Sequence, residues 1–96
     1  MRVNICGVPH EVIECEDSFN DCTHFGIIDY KDAVIKINKS TTKELKKETL
    51  CHEILHGLLV HIGREDLSDD EAFVQSLSNA IFQTFDIKDL DKKGGK

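Results

Sequence analysis

Apolar and polar residues alternate through the first forty positions, and then the period lengthens. "RVNI" (2–5) alternates briefly, and "HEVIEC" (10–15) reads as a second extended piece after Pro9. The turn-rich "EDSFNDC" (16–22) separates these from "FGIIDY" (25–30). "AVIKINK" (33–39) alternates cleanly, with Val34, Lys36 and Asn38 on one face and Ala33, Ile35 and Ile37 on the other. That period of two is the signature of strands with one buried face. Lys31 and Asp32 can make a tight connection, so the last two segments are expected to form an antiparallel hairpin.

At "STTKELKK" the spacing becomes helical. Thr41 is suited to cap a helix running from about Thr42 to Val60 or Ile62, with Glu44 as its reciprocal capping-box partner. Leu45, Leu55, Leu59 and Ile62 form much of one apolar surface, widened by Leu50, Ile54 and Leu58, and Gly63 is the stop. After "REDLSDD", Ser68 is placed to cap a second long helix, roughly Asp69 to Phe85. Phe73, Leu77, Ile81 and Phe85 recur along it at helical spacing, with Val74 and Ala80 extending the stripe. The expected fold class is α+β: a small antiparallel sheet packed on two long helices. Residues 1–88 are expected to form one domain and 89–96 a flexible C-terminal tail.

Composition narrows the function classes. The chain has 96 residues, 40% hydrophobic and 31% charged, which suits one small globular domain with a thin core. Its 18 acidic and 12 basic residues give a net charge of −6, which argues against a general binder of nucleic-acid backbone. The opening "MRVNICGVPHEV" has no long apolar run and no segment is long enough for a membrane span, so a cytoplasmic setting is expected. Cys6, Cys15, Cys22 and Cys51 form no CxxC pair, and free thiols are the better expectation in that setting. A second, structural metal site built from Cys15, Cys22 and His24 is the alternative for three of these groups.

The chemistry concentrates in "ETLCHEILHGLL" (48–59). His52 and His56 stand four helical positions apart, about 40° around the axis, so both imidazoles can converge on one ion. Glu53 leans toward the same edge. The pattern matches H-E-x-x-H, in which two histidines bind zinc and the glutamate handles a proton of the attacking water. The bland alternative is a pair of hydrogen-bonded histidines beside a surface carboxylate. Against it, Leu50, Ile54, Leu55, Leu58 and Leu59 surround these groups on a largely buried helix. Burying a carboxylate without a partner costs several kcal/mol, whereas a metal site gives all three polar groups a reason to face inward.

A catalytic zinc site needs a third protein ligand and one open position. His61 lies five residues beyond His56, about 140° away on a continuing helix, and would need the helix to unwind after Gly57. Glu71 opens the second helix, where its carboxylate can meet the His52/His56 edge, but Ser68-x-x-Glu71 is also a capping box. Asp66 could cap an earlier start, and a shift of phase would bring Asp69 or Asp70 into the ligand position. The residues alone leave Glu71, Asp69, Asp70 and His61 open.

The order "AVIKINKS…KETLCHEILHGLLVH…DDEAFVQSLSNAIF" resembles the ImmA/IrrE-like zinc metallopeptidases, a branch of the zincins found in bacteria, phages and mobile elements. The resemblance covers roughly residues 25–85. It rests on Ile35-Lys36-Ile37-Asn38 at a strand end, on Thr49 with His52, Glu53 and His56, and on a later E-x-x-A-N-x-F-A signature. That signature falls on Glu71, with Val74, Gln75 and Leu77 at the alanine, asparagine and phenylalanine positions. The resemblance implies a minimal zincin-like fold and a Zn2+ held by His52, His56 and Glu71. Cys51 stands where the family often has a small residue, and it is expected to be a packed thiol beside the metal. Members often carry a helix-turn-helix extension; none is recognisable here, so sequence-specific nucleic-acid binding is not expected.

The implied activity is hydrolysis of a protein or peptide amide bond, with Glu53 as the proton-handling catalytic residue. His24, Tyr30 and His61 are candidates for a hydrogen bond to the developing oxyanion. Strand 33–39 is a candidate platform for an extended substrate. The competing class is a metal-stabilised protein-binding module without turnover. Retention of Glu53 beside His52 favours the enzyme, because a purely structural site has no use for that carboxylate.

Overall fold

The computed structural model describes residues 1–15 and 25–85. Four strands, β1 (Arg2–Ile5), β2 (Val8–Cys15), β3 (Gly26–Asp29) and β4 (Val34–Asn38), precede helices α1 (Lys43–His61), α2 (Glu65–Ser68) and α3 (Glu71–Thr84). Cys22 and His24 of the suggested second metal site, the 89–96 tail and the "EDSFNDC" turn lie outside the described residues.

The sheet order is β1-β2-β4-β3. β1 and β2 form an antiparallel hairpin across Ile5↔Val8, and β3 pairs with β4 through Asp29↔Val34 as the alternation predicts. The expectation of a purely antiparallel sheet is corrected at its centre, where β2 and β4 run parallel from Glu11↔Val34 to Cys15↔Asn38. After β2 the chain skips a place, lays β3 at the edge, and returns through the hairpin to insert β4. Local alternation reports which face is buried, not which neighbour a strand takes. One consequence corrects the substrate-platform expectation: β4 is bonded on both sides, and the sheet edge near the helices belongs to β3.

One face of the sheet is covered. Ile5, Val12, Ile35 and Ile37 point inward to Leu50, with Val3, Ile28, Ile54 and Leu58 around them. Full burial of such side chains contributes about 1.5–3 kcal/mol each. Gly57 lets α1 approach: a Cβ there would stand 2.9 Å from Ile5 Cδ1 and 3.0 Å from Ile28 Cδ1. It serves close packing in an unbroken helix rather than the unwinding that His61 ligation would require.

The second apolar side of α1 faces α3. Leu55 and Leu59 pack on Val74, with Leu58, Leu67, Leu77 and Ile81 beside them. α3 touches α1 and α2 but not the sheet, so the layers are sheet, α1 and α3 rather than a sheet on two helices side by side. The buried stripe of α3 is also rotated from the expected one. Val74 and Ser78 are buried, whereas Phe73, Ala80 and Phe85 are exposed. Ile62, assigned to the α1 stripe, is exposed as well.

Helix ends differ from expectation by small shifts that matter for the site. Thr42, not Thr41, caps α1, its side chain accepting from the Leu45 amide at 3.1 Å. α1 closes as expected at Gly63, where the Gly63 amide donates to Val60 and the Arg64 amide to Leu59. The second helix is split. Asp70 caps α3 by accepting from the Phe73 amide at 3.1 Å, while Ser68 ends the short α2 and is buried. Asp66 caps nothing and pairs instead with Arg64 at 2.8 Å.

Candidate metal centre

His52, Glu53 and His56 lie on the stretch of α1 that faces both the edge of β3 and the start of α3. His52 Nε2 and His56 Nε2 are 3.1 Å apart. Glu71, the first residue of α3, reaches across to both: its Oε1 lies 3.1 Å from His52 Nε2 and its Oε2 lies 3.2 Å from His56 Nε2. Four-coordinate zinc with bonds of about 2.0–2.1 Å separates neighbouring ligand atoms by roughly 3.3 Å. The separation of the two imidazole nitrogens is close to that edge length, each ring meets a different oxygen of Glu71, and one ligand atom from each of the three residues lies within 4.8 Å of the others. These three residues are able to hold a metal ion.

The alternatives to Glu71 fall away for separate reasons. Asp70 is occupied as the α3 cap. Asp69 lines the cleft but is outside the ligand group. His61 sits at the far end of α1, where its ring meets His10 edge-on at 5.7 Å between centroids. The capping-box alternative for Glu71 is likewise displaced, since α3 is already capped from Asp70 and Glu71 turns toward the histidines.

Ser68 has a role that the sequence does not suggest. Its Oγ is 3.0 Å from His56 Nδ1. With the proton on Nδ1 donated to this hydroxyl, Nε2 keeps its lone pair for an ion, the usual outer-shell arrangement of a metal-binding histidine. Tyr30 lines the same cleft as Ser68 and the donor set. Of the candidates for oxyanion contact, Tyr30 lines the cleft and His61 does not. A serine three residues before a glutamate reads as a capping box, and only the packing of α2 against α1 gives it this other partner.

Burial sets the charges. Glu53 is 7% exposed and has no hydrogen-bond or ion-pair partner among the described residues. Desolvation first, and the nearby Glu71 carboxylate second, push its pKa up to about 7. A carboxylate poised there can take and return a proton near neutral pH. Desolvation also holds His56 below the ordinary imidazole value, against the pull of Glu71, which keeps its neutral, ligating form available. Burial raises the Cys51 thiol, and Cys51 packs against α3 with its Sγ 3.6 Å from the Ser78 carbonyl. It is the packed thiol that the sequence suggests.

The flank of the site depends on Gly26. A Cβ there would stand 2.5 Å from Thr49 Cγ2 and 3.4 Å from Glu53 Cγ, so β3 lies close along α1 only because this residue has no side chain. Beside it opens a cleft of about 680 Å³, walled by Phe25–Ile28 and Tyr30, by α1 from Glu48 to His56, and by Ser68, Asp69, Glu71 and Gln75. Among the described residues, no helix is long and apolar enough to cross a membrane. Comparison with protein-family models, with curated proteins and with solved structures finds no match to this chain.

Proposed function

We propose that the protein is a zinc-dependent hydrolase of the zincin kind, similar to the ImmA/IrrE-like peptidases, that cleaves an amide bond in a protein or peptide. One observation carries this reading. A buried carboxylate without a partner among the described residues, Glu53, shares its cleft with two histidines whose Nε2 atoms are 3.1 Å apart and with Glu71, whose two oxygens reach them at 3.1 and 3.2 Å. A structural ion needs the donors but not Glu53.

His52, His56 and Glu71 would hold the zinc, which would supply Lewis acidity toward a water and a carbonyl. The chain's own residues do the rest. Glu53 takes the proton of the attacking water and later delivers it to the leaving amine, a task matched by its raised pKa. Ser68 fixes the His56 ring, and Tyr30 offers a phenol at the rim of the site. The edge strand β3 can align an extended substrate by strand addition, which replaces the expectation for residues 33–39. Cys6, Cys15 and Cys51 are free thiols, in keeping with a cytoplasmic setting.

The test is Glu53→Gln. Zinc content should stay at one ion per chain by metal analysis, while peptide hydrolysis falls by at least about 10²–10⁴-fold. Turnover that survives the change removes Glu53 from the mechanism. A wild-type protein that binds zinc and cleaves none of a broad peptide pool returns the site to a structural role.

A further inference from the structure

The proposed chemistry asks only for an amide and a water; the walls of the cleft say more about the chain that carries the amide. Glu48, Glu53, Asp69 and Glu71 all line it, and among the described residues no lysine or arginine does. Glu71 and Glu53 already have roles. Glu48 and Asp69 have none, and neither side chain has an ion-pair partner among the described residues.

Their placement is directional. Glu48 stands on α1 one turn before His52, whereas Asp69 follows Ser68, whose hydroxyl holds His56. The two carboxylates therefore flank the donor set along the α1 axis. A second observation points to a ligand in the same space: Glu53, more than nine-tenths buried, faces the cleft without a partner among the described residues. Phe25 and Ile28 add apolar patches to a lining that also holds Tyr30, Thr49, Ser68 and Gln75. Carboxylates set beside such apolar patches suit a side chain with an aliphatic stem and a cationic head. An acidic segment would meet like charge at both ends, which is discrimination by repulsion.

We infer that the cleft selects polypeptides with a lysine or arginine side chain close to the scissile bond. This rests on the hydrolase reading for the cleavage itself, but the preference for cations is a property of the walls. Binding and cleavage can therefore be read separately.

The experiment uses zinc-loaded protein and degenerate peptide pools, with cleaved bonds mapped by mass spectrometry. Bonds flanked by lysine or arginine should be cut roughly tenfold more often than bonds flanked by aspartate or glutamate, the size expected of two partly exposed charge pairs. The combined variant Glu48→Gln with Asp69→Asn should bring that ratio toward one, with zinc stoichiometry as the check that the fold persists. Cleavage without a basic preference overturns the inference and leaves the hydrolase reading standing. If no pool is cut, the hydrolase reading fails, and retention of the pools on zinc-loaded Glu53→Gln protein decides the inference alone. Lysine-rich peptides retained over glutamate-rich ones support it, and equal retention ends it.

Discussion

Among the described residues two pairs of histidines come together, and one of the pairs joins a carboxylate in a ligand group. His52 and His56 turn their Nε2 atoms to within 3.1 Å of each other, and Glu71 closes the set. His10 and His61 meet edge-on at 5.7 Å, on β2 and at the end of α1. His10 is buried, its Nδ1 lies 2.9 Å from the Val8 carbonyl, and its Nε2 has no partner. Among the described residues no carboxylate joins that pair in a ligand group. Proximity of imidazoles is thus a packing outcome; convergence of lone pairs on a point that a carboxylate also reaches is a site.

The largest expected effect tests this contrast directly. Glu71→Ala should weaken zinc binding by more than about 100-fold, beyond what loss of an outer-shell partner produces, while His61→Ala and His10→Leu leave it unchanged. Competition titration against a chromophoric chelator measures all three. Zinc affinity that falls in His61→Ala but holds in Glu71→Ala would reverse the assignment of the two pairs.

Next is the cost of the buried Glu53 when no ion is bound. Its folded pKa, about 7, lies above the ordinary glutamate value of 4.5, so the folded protein holds a proton that the unfolded chain gives up. Stability from this group is full below about pH 4.5 and declines as pH rises toward 7, by about 3 kcal/mol in all. His56 acts with the opposite sign, since its lowered pKa makes stability rise as pH approaches the usual imidazole value. Chemical denaturation of chelated protein across this range should show a decline in wild type that Glu53→Gln lacks. The same decline in the variant would place the proton elsewhere.

The smallest effect sharpens the comparison at one ring. Ser68→Ala removes the hydroxyl at His56 Nδ1 and should lower zinc affinity by about 10–100-fold without changing stoichiometry. An affinity equal to wild type would mean that packing alone orients His56.

Much of this was legible before any coordinates. Alternation in "AVIKINK" assigned Ile35 and Ile37 to the core, and the spacing of His52 and His56 along an apolar helix put both rings on one edge. Those are local facts, fixed by the periods of strand and helix. Glu71 was one of four open ligands until the resemblance favoured it, because the phase of a helix start hangs on a cap. Asp70 and Ser68 each suit that position by residue type. Only the packing of α2 against α1 assigns Ser68 to His56 and leaves Asp70 as the cap.

The sequence by itself determined the identity of the strands, the helical edge that carries His52, Glu53 and His56, and the acidic balance of the chain. Tertiary structure alone decided that β4 runs parallel to β2, that β3 lies at a sheet edge, and that α3 buries Val74 and Ser78 rather than Phe73 and Phe85. The division has one physical cause. Side-chain periodicity follows from backbone geometry within a few residues, whereas strand order, helix rotation and the meeting of Glu71 with two histidines depend on which distant surfaces exclude water together.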